Sequence, residues 1–142
     1  MAQTLVFYRG GLERLTAAGW ASRTDDQALL IEYGTGWSFD ITHVSLTSMI
    51  LGTTELTATN YARKAVTPST PSYSSGRWSL PAAALVWSSL GTAEQVAAVV
   101  GFEAGVDDAN SVPLWAVYDP APAAICTLDG SDLTVTVDLG IT

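Results

Sequence analysis

Apolar and β-branched runs recur roughly every ten positions along this chain, each closed by glycine or proline, and that rhythm favours short strands. The candidates are Ala28–Tyr33, Thr59–Thr67, Ser75–Leu80, Ala84–Ser89, Ala93–Glu103, Val112–Tyr118, Ala123–Leu128 and Leu133–Leu139. Between them stand Gly34-Thr35-Gly36, Pro68 and Pro71, Pro81, Gly91, Gly105, and Pro120 with Pro122. The last strand is the clearest, because Leu133, Val135, Val137 and Leu139 alternate with Thr134, Thr136 and Asp138. Asp129-Gly130-Ser131-Asp132 precedes it and has the composition of a turn, so the final two strands are expected to form a hairpin. Thr92–Val100 also fits a helix capped by Thr92 and Gln95, but its valines suit a pleated surface better.

Ahead of the strands, Leu12 and Leu15 lie three apart, which predicts a short helix over Gly11–Ala18 stopped at Gly19. Trp20 follows at once and is placed to anchor that helix on the sheet. With 142 residues and 48% hydrophobic content, the chain can bury one core. The fold expected is mainly β: a single-domain β-sandwich or jelly-roll-like arrangement with a short N-terminal helix. Residues 1–20 would form an arm and the helix, and residues 26–142 the sandwich.

Only 14% of residues are charged, against about a quarter in ordinary domains, so the surface is neutral and polar. The net charge of −8 is unevenly placed. Arg9, Arg14, Arg23, Arg63, Lys64 and Arg77 are all in the first 77 positions, balanced there by six acids. Glu94, Glu103, Asp107, Asp108, Asp119, Asp129, Asp132 and Asp138 follow with no base among them. Such a surface repels phosphate backbones, so neither nucleic acid nor an anionic membrane is an expected partner. The start MAQTLVFYRGG has Arg9 where a signal peptide would still be apolar. No apolar run approaches the ~18 residues of a membrane span, and the chain is expected to be made in a bacterial cytoplasm.

The inventory for catalysis is thin. His43 is the single histidine and has no Cys or His at ligand spacing, so a structural hydrogen-bonding role is the plainer reading. Cys126 is the single cysteine, sits among Ala123, Ala124 and Ile125, and reads as a small buried hydrophobe. Gly34-Thr35-Gly36 lacks the third glycine of a dinucleotide fingerprint, and there is no Gly-x-Ser-x-Gly elbow. Asp107-Asp108-Ala109-Asn110 lacks the glycine and glutamate of a calcium loop and reads as a turn. Asp129 and Asp132 lie within one tight loop rather than across a cleft. No catalytic, cofactor-binding or metal-binding residue is expected.

The aromatic residues remain. Trp87 and Trp115 occupy apolar strands and read as core. Trp37 and Trp78 have small or polar neighbours, Tyr73 lies in the uncharged loop Pro68–Ser75, and Phe39 and His43 share the loop after the first long strand. Trp37, Phe39, His43, Tyr73 and Trp78 are therefore the candidate protein-interface residues. A carbohydrate platform built on Trp37 or Trp78 is the competing use.

The order of these features resembles a family of small bacteriophage virion proteins. It runs through Tyr8, the Leu12–Leu15 helix, Trp20, Asp25-Asp26, Ala28–Tyr33 and Phe39-Asp40 with His43. It continues through Glu55-Leu56-Thr57-Ala58-Thr59-Asn60-Tyr61, Leu85-Val86-Trp87-Ser88, Val117-Tyr118-Asp119 and Leu139-Gly140-Ile141. Asn60-Tyr61-Ala62-Arg63-Lys64 departs from that pattern, in which glycines often follow the tyrosine. The resemblance implies a non-enzymatic structural protein of the virion, a capsid decoration or cement protein on the head, with a tail or head-tail component as the alternative. It implies the major capsid protein or another virion protein as partner, and a homo-oligomer, commonly a trimer.

Overall fold

The computed structural model describes residues 3–49 and 54–140. The first two residues of the expected arm, and Ile141 of the closing segment, lie outside them. Among the described residues ten strands follow in order: β1 (Thr4–Phe7), β2 (Asp26–Glu32), β3 (Lys64–Ala65), β4 (Ser72–Ser74), β5 (Arg77–Ser79), β6 (Leu85–Trp87), β7 (Thr92–Glu103), β8 (Val112–Tyr118), β9 (Cys126–Asp129) and β10 (Leu133–Val135). Helices α1 (Arg9–Arg14) and α2 (Ala17–Trp20) separate β1 from β2. The architecture is mainly β and β-sandwich-like, as the strand rhythm predicts.

One antiparallel sheet dominates, in the order β1-β8-β7-β2-β3. Its spine is β7, whose second half is flanked by β2 and β8 while its first half pairs with β9. Because Glu32 of β2 still faces Val96, β9 takes the edge of β7 that β8 leaves after Tyr118. The helical alternative for Thr92–Val100 is absent; the segment is continuous strand.

The sheet is covered on both faces, which explains why Ala28–Ile31 is an unbroken apolar run and not an alternating one. On one face Ala28, Leu30, Val96, Val99, Leu114 and Trp115 pack against Leu80, Leu85, Trp87, Val137 and Leu139, part of them on the small β6–β10 ladder. On the other, Leu29, Ile31, Ala98, Val100, Phe102 and Ala116 lie beneath Tyr8, Leu46 and Met49, supplied by the connections around the sheet. Trp20 is fully buried in the first core and donates from Nε1 to the Pro81 carbonyl at 2.7 Å, so it does anchor the helical segment.

Two glycines set close approaches. Gly101 faces Trp115 across the β7–β8 pair, and a Cβ there would fall within the indole ring. Gly11 brings α1 down onto β8, where a Cβ would collide with the Leu114 carbonyl.

Several expectations are corrected. Cys126–Asp129 and Leu133–Val135 do not pair with one another: β9 joins β7, and β10 joins β6. The Asp129–Asp132 turn exists, with Gly130 at φ +87° and Asp129 Oδ1 accepting from the Ser131 N–H. It carries the chain from one layer to the other, because Leu133 and Val135 pack on the first core from the β6 side. The helix is also split. Leu15 and Thr16 are extended, and Thr16 caps a second turn by accepting from the Gly19 N–H, so Gly19 lies inside α2 and does not stop α1.

Within the expected N-terminal arm, Thr4–Phe7 forms an edge strand of the main sheet paired with β8. Thr59–Thr67 shrinks to Lys64–Ala65. Asn60 takes φ +66°, and Tyr61 turns inward so that its hydroxyl accepts the Leu30 N–H at 3.1 Å and donates to Glu55 at 2.6 Å. A side chain thus satisfies a β2 amide that a full neighbouring strand would have paired. Finally, part of the expected loop Pro68–Ser75 is strand β4, which forms a hairpin with β5.

Candidate functional site

The five candidate interface residues fall into two groups. Tyr73 and Trp78 face one another across the β4–β5 hairpin, ring centroids 5.3 Å apart. Ser75 and Gly76 form its tip, both with positive φ (52° and 79°), the backbone that a tight hairpin turn needs. Tyr73 is 62% and Trp78 41% exposed, so their contact leaves much aromatic surface in water. Beside them Arg77 pairs with Asp138 at 3.4 Å.

Trp37, Phe39 and His43 belong to a second group on the outer face of the main sheet. Phe39 lies 4.8 Å from the Tyr8 ring and 6.0 Å from Tyr118, Trp37 meets Tyr118 edge-on at 5.6 Å, and His43 stacks on Tyr8 at 6.4 Å. Burial, with Tyr118 and Asp40 nearby, pushes the Tyr8 phenol well above its ordinary range. Its hydroxyl, Trp37 Nε1 and His43 Nδ1 are buried without a hydrogen-bond partner among the described residues. The hydrogen-bonding role expected of the His43 side chain is not found at Nδ1; the ring packs on Tyr8 instead. Asp40 nearby is occupied locally: the hydroxyl and N–H of Thr42 hold its carboxyl below the usual range.

Next to this group opens a cleft of about 460 Å³, at the end of the sheet where β2 stops at Glu32 and β8 at Tyr118. Trp37 and Phe39 form part of its wall, with Tyr33, Tyr118 and two carboxylates, Glu32 and Asp119. Asp119 is only 6% exposed and accepts the Ala121 N–H at 2.9 Å. Gly34 and Gly36, both at positive φ, bend the chain around the rim. Sequence reasoning did not place Glu32, Tyr33, Tyr118 or Asp119 at a site. Tyr118-Asp119 was visible only as the end of a strand, and nothing in one dimension joins it to Trp37.

The charges are distributed with equal consequence. All five arginines are in ion pairs: Arg9 with Glu13, Arg14 with Glu13 and Glu103, Arg23 with Asp26 and Glu103, Arg63 with Glu55 and Asp108, and Arg77 with Asp138. Arg63 bridges Glu55 and Asp108, and its guanidinium also lies 5.4 Å from the Phe102 ring. Lys64 has no ion pair among the described residues. No cluster of three or more His, Cys, Asp or Glu side chains suited to a metal ion occurs among the described residues. No described helix is long and apolar enough to cross a membrane.

No protein-family model matches the chain, and no curated protein or solved structure matches it either.

Proposed function

We propose that this chain is a non-enzymatic structural protein of a bacteriophage virion, and that it decorates or cements the assembled head by binding the major capsid protein. The resemblance in the order of its sequence features motivates the reading. The observation that carries it is the β4–β5 hairpin, which holds Tyr73 and Trp78 in solvent on an otherwise Ser-rich turn. Large exposed aromatic residues on a rigid, weakly charged support are the usual anchors of protein interfaces. Association as a homo-oligomer, a trimer on a local threefold axis, belongs to the same proposal. A tail or head-tail position is the alternative location. The carbohydrate-binding alternative is weaker, because Trp37 and Trp78 lie in separate aromatic groups and do not form one platform.

Cryo-electron microscopy of the parent particle tests the reading. Density for this chain on the capsomers is the expected result; density confined to the tail would replace decoration by the alternative, and none on the particle would end the virion reading. Tyr73→Ala with Trp78→Ala is expected to leave the fold intact and abolish re-binding to stripped particles.

A further inference from the structure

We propose that the cleft between Trp37, Tyr118, Glu32 and Asp119 binds a basic side chain, an arginine or lysine presented by a different protein. Its lining has two carboxylates and no base. No hydrogen bond or ion pair holds the Glu32 carboxylate among the described residues, and Asp119 is engaged only through Oδ1, by a backbone N–H. The remaining wall is aromatic and apolar, with Tyr33, Trp37, Phe39 and Tyr118 around the opening. Aromatic faces attract cations, and low-dielectric walls strengthen the field of the carboxylates between them.

An anion is repelled by the same groups. A sugar needs a flat, free ring face, whereas Tyr118 here is stacked by Phe39 and met by Trp37 edge-on. The volume is that of a small-ligand site, near the low end of the range of roughly 300–1,000 Å³. The source of the cation follows from the ion pairs. Every arginine of this chain already has a carboxylate partner, and Lys64, the one base without an ion pair among the described residues, is half-buried in β3 against β2, so a second copy presents no free, exposed basic side chain. The cleft is therefore assigned to a protein other than this one. That the partner is a capsid protein rests on the proposed function; the preference for a cation does not.

The test is a nuclear magnetic resonance titration of the full chain with Nα-acetyl-arginine amide and Nα-acetyl-lysine amide, with Nα-acetyl-glutamine amide and N-acetylglucosamine as neutral probes. The indole N–H signal of Trp37, identified with Trp37→Phe, and the Ala97 amide are followed. Either basic probe is expected to shift both signals saturably. Glu32→Gln is expected to weaken that binding about fivefold, as for one partly exposed ion pair, and Glu32→Gln with Asp119→Asn to remove it. Asparagine can still accept the Ala121 N–H, and unchanged signals from the other four tryptophans report an intact fold. Equal shifts by the glutamine probe, binding by the sugar alone, indifference to Glu32→Gln, or no saturable shift would each overturn the proposal. Binding of the basic probes by a chain absent from the particle would leave the cleft assignment standing and sink only the virion reading. A chain found on capsomers whose cleft ignores both basic probes would do the reverse.

Discussion

Replacing Gly101 by alanine should destabilise this protein, although the same change in an open strand would help it. Gly101 has no positive φ to protect, so a Cβ there would by itself stabilise by about 0.4–1 kcal/mol, through the lower entropy of the unfolded chain. The Cβ, however, falls far inside the 3.0 Å that real Cβ contacts respect, against the six-membered and five-membered ring atoms of Trp115. Trp115 is buried between the layers and has no open space to swing into. Overpacking of this kind costs about 1–3 kcal/mol or more, so a net loss of roughly 1–2 kcal/mol is expected once the entropy gain is subtracted. For a chain of this size that corresponds to about 3–8 °C in Tm. The decisive comparison is a double-mutant cycle with Trp115→Leu, measured by urea unfolding. Without the indole, Gly101→Ala should become neutral or mildly stabilising. An equal cost in both backgrounds would refute the argument that the ring, and not the backbone, demands glycine.

Three further outcomes follow from the same structure. Ala93 is an exposed residue at φ +73° in the irregular first part of β7, so Ala93→Gly should raise stability by about 1 kcal/mol; a loss in urea unfolding would show that the residue is not left-handed in solution. Arg63 holds the Asp108 carboxyl below its ordinary range by hydrogen bonding, so that contribution is present above about pH 4 and is lost as pH falls through the lowered folded-state value. The stability gap between the native protein and Arg63→Met should therefore be wider at pH 7 than at pH 3, and a gap independent of pH would contradict it. Cys126 is half-buried rather than enclosed as its neighbours suggest, and that partial burial still raises its thiol, so its reaction with a disulfide reagent at neutral pH should be slower in buffer than in urea; equal rates would contradict it.

Much of the strand content was legible because period and punctuation are local properties, although the alternating run Leu133–Leu139 is strand only over Leu133–Val135. β8 appears where the run Val112–Tyr118 predicts it, and β2 and β7 differ from their expected bounds by one or two residues. Trp87 and Trp115 were legible as core for the same reason, each being a large apolar side chain within an apolar run, and Trp20 as the anchor of the helical segment. Pairing was not legible. The turn Asp129–Asp132 has hairpin composition, yet a turn fixes only a change of direction, and the choice between pairing with β9 and crossing to β6 depends on where Leu133 and Val135 find a core to bury in.

The candidate site divides in the same way. The sequence marks Trp37, Phe39, Tyr73 and Trp78 as aromatic residues in weakly apolar surroundings, and it determines a charge balance in which acids outnumber bases. Only the tertiary structure brings Glu32, at the end of β2, and Asp119, just past β8, to one cleft, while spending every arginine elsewhere. The reason is physical: composition and local period set which residues seek burial, but which side chains then share a surface is decided by packing between segments far apart in the chain.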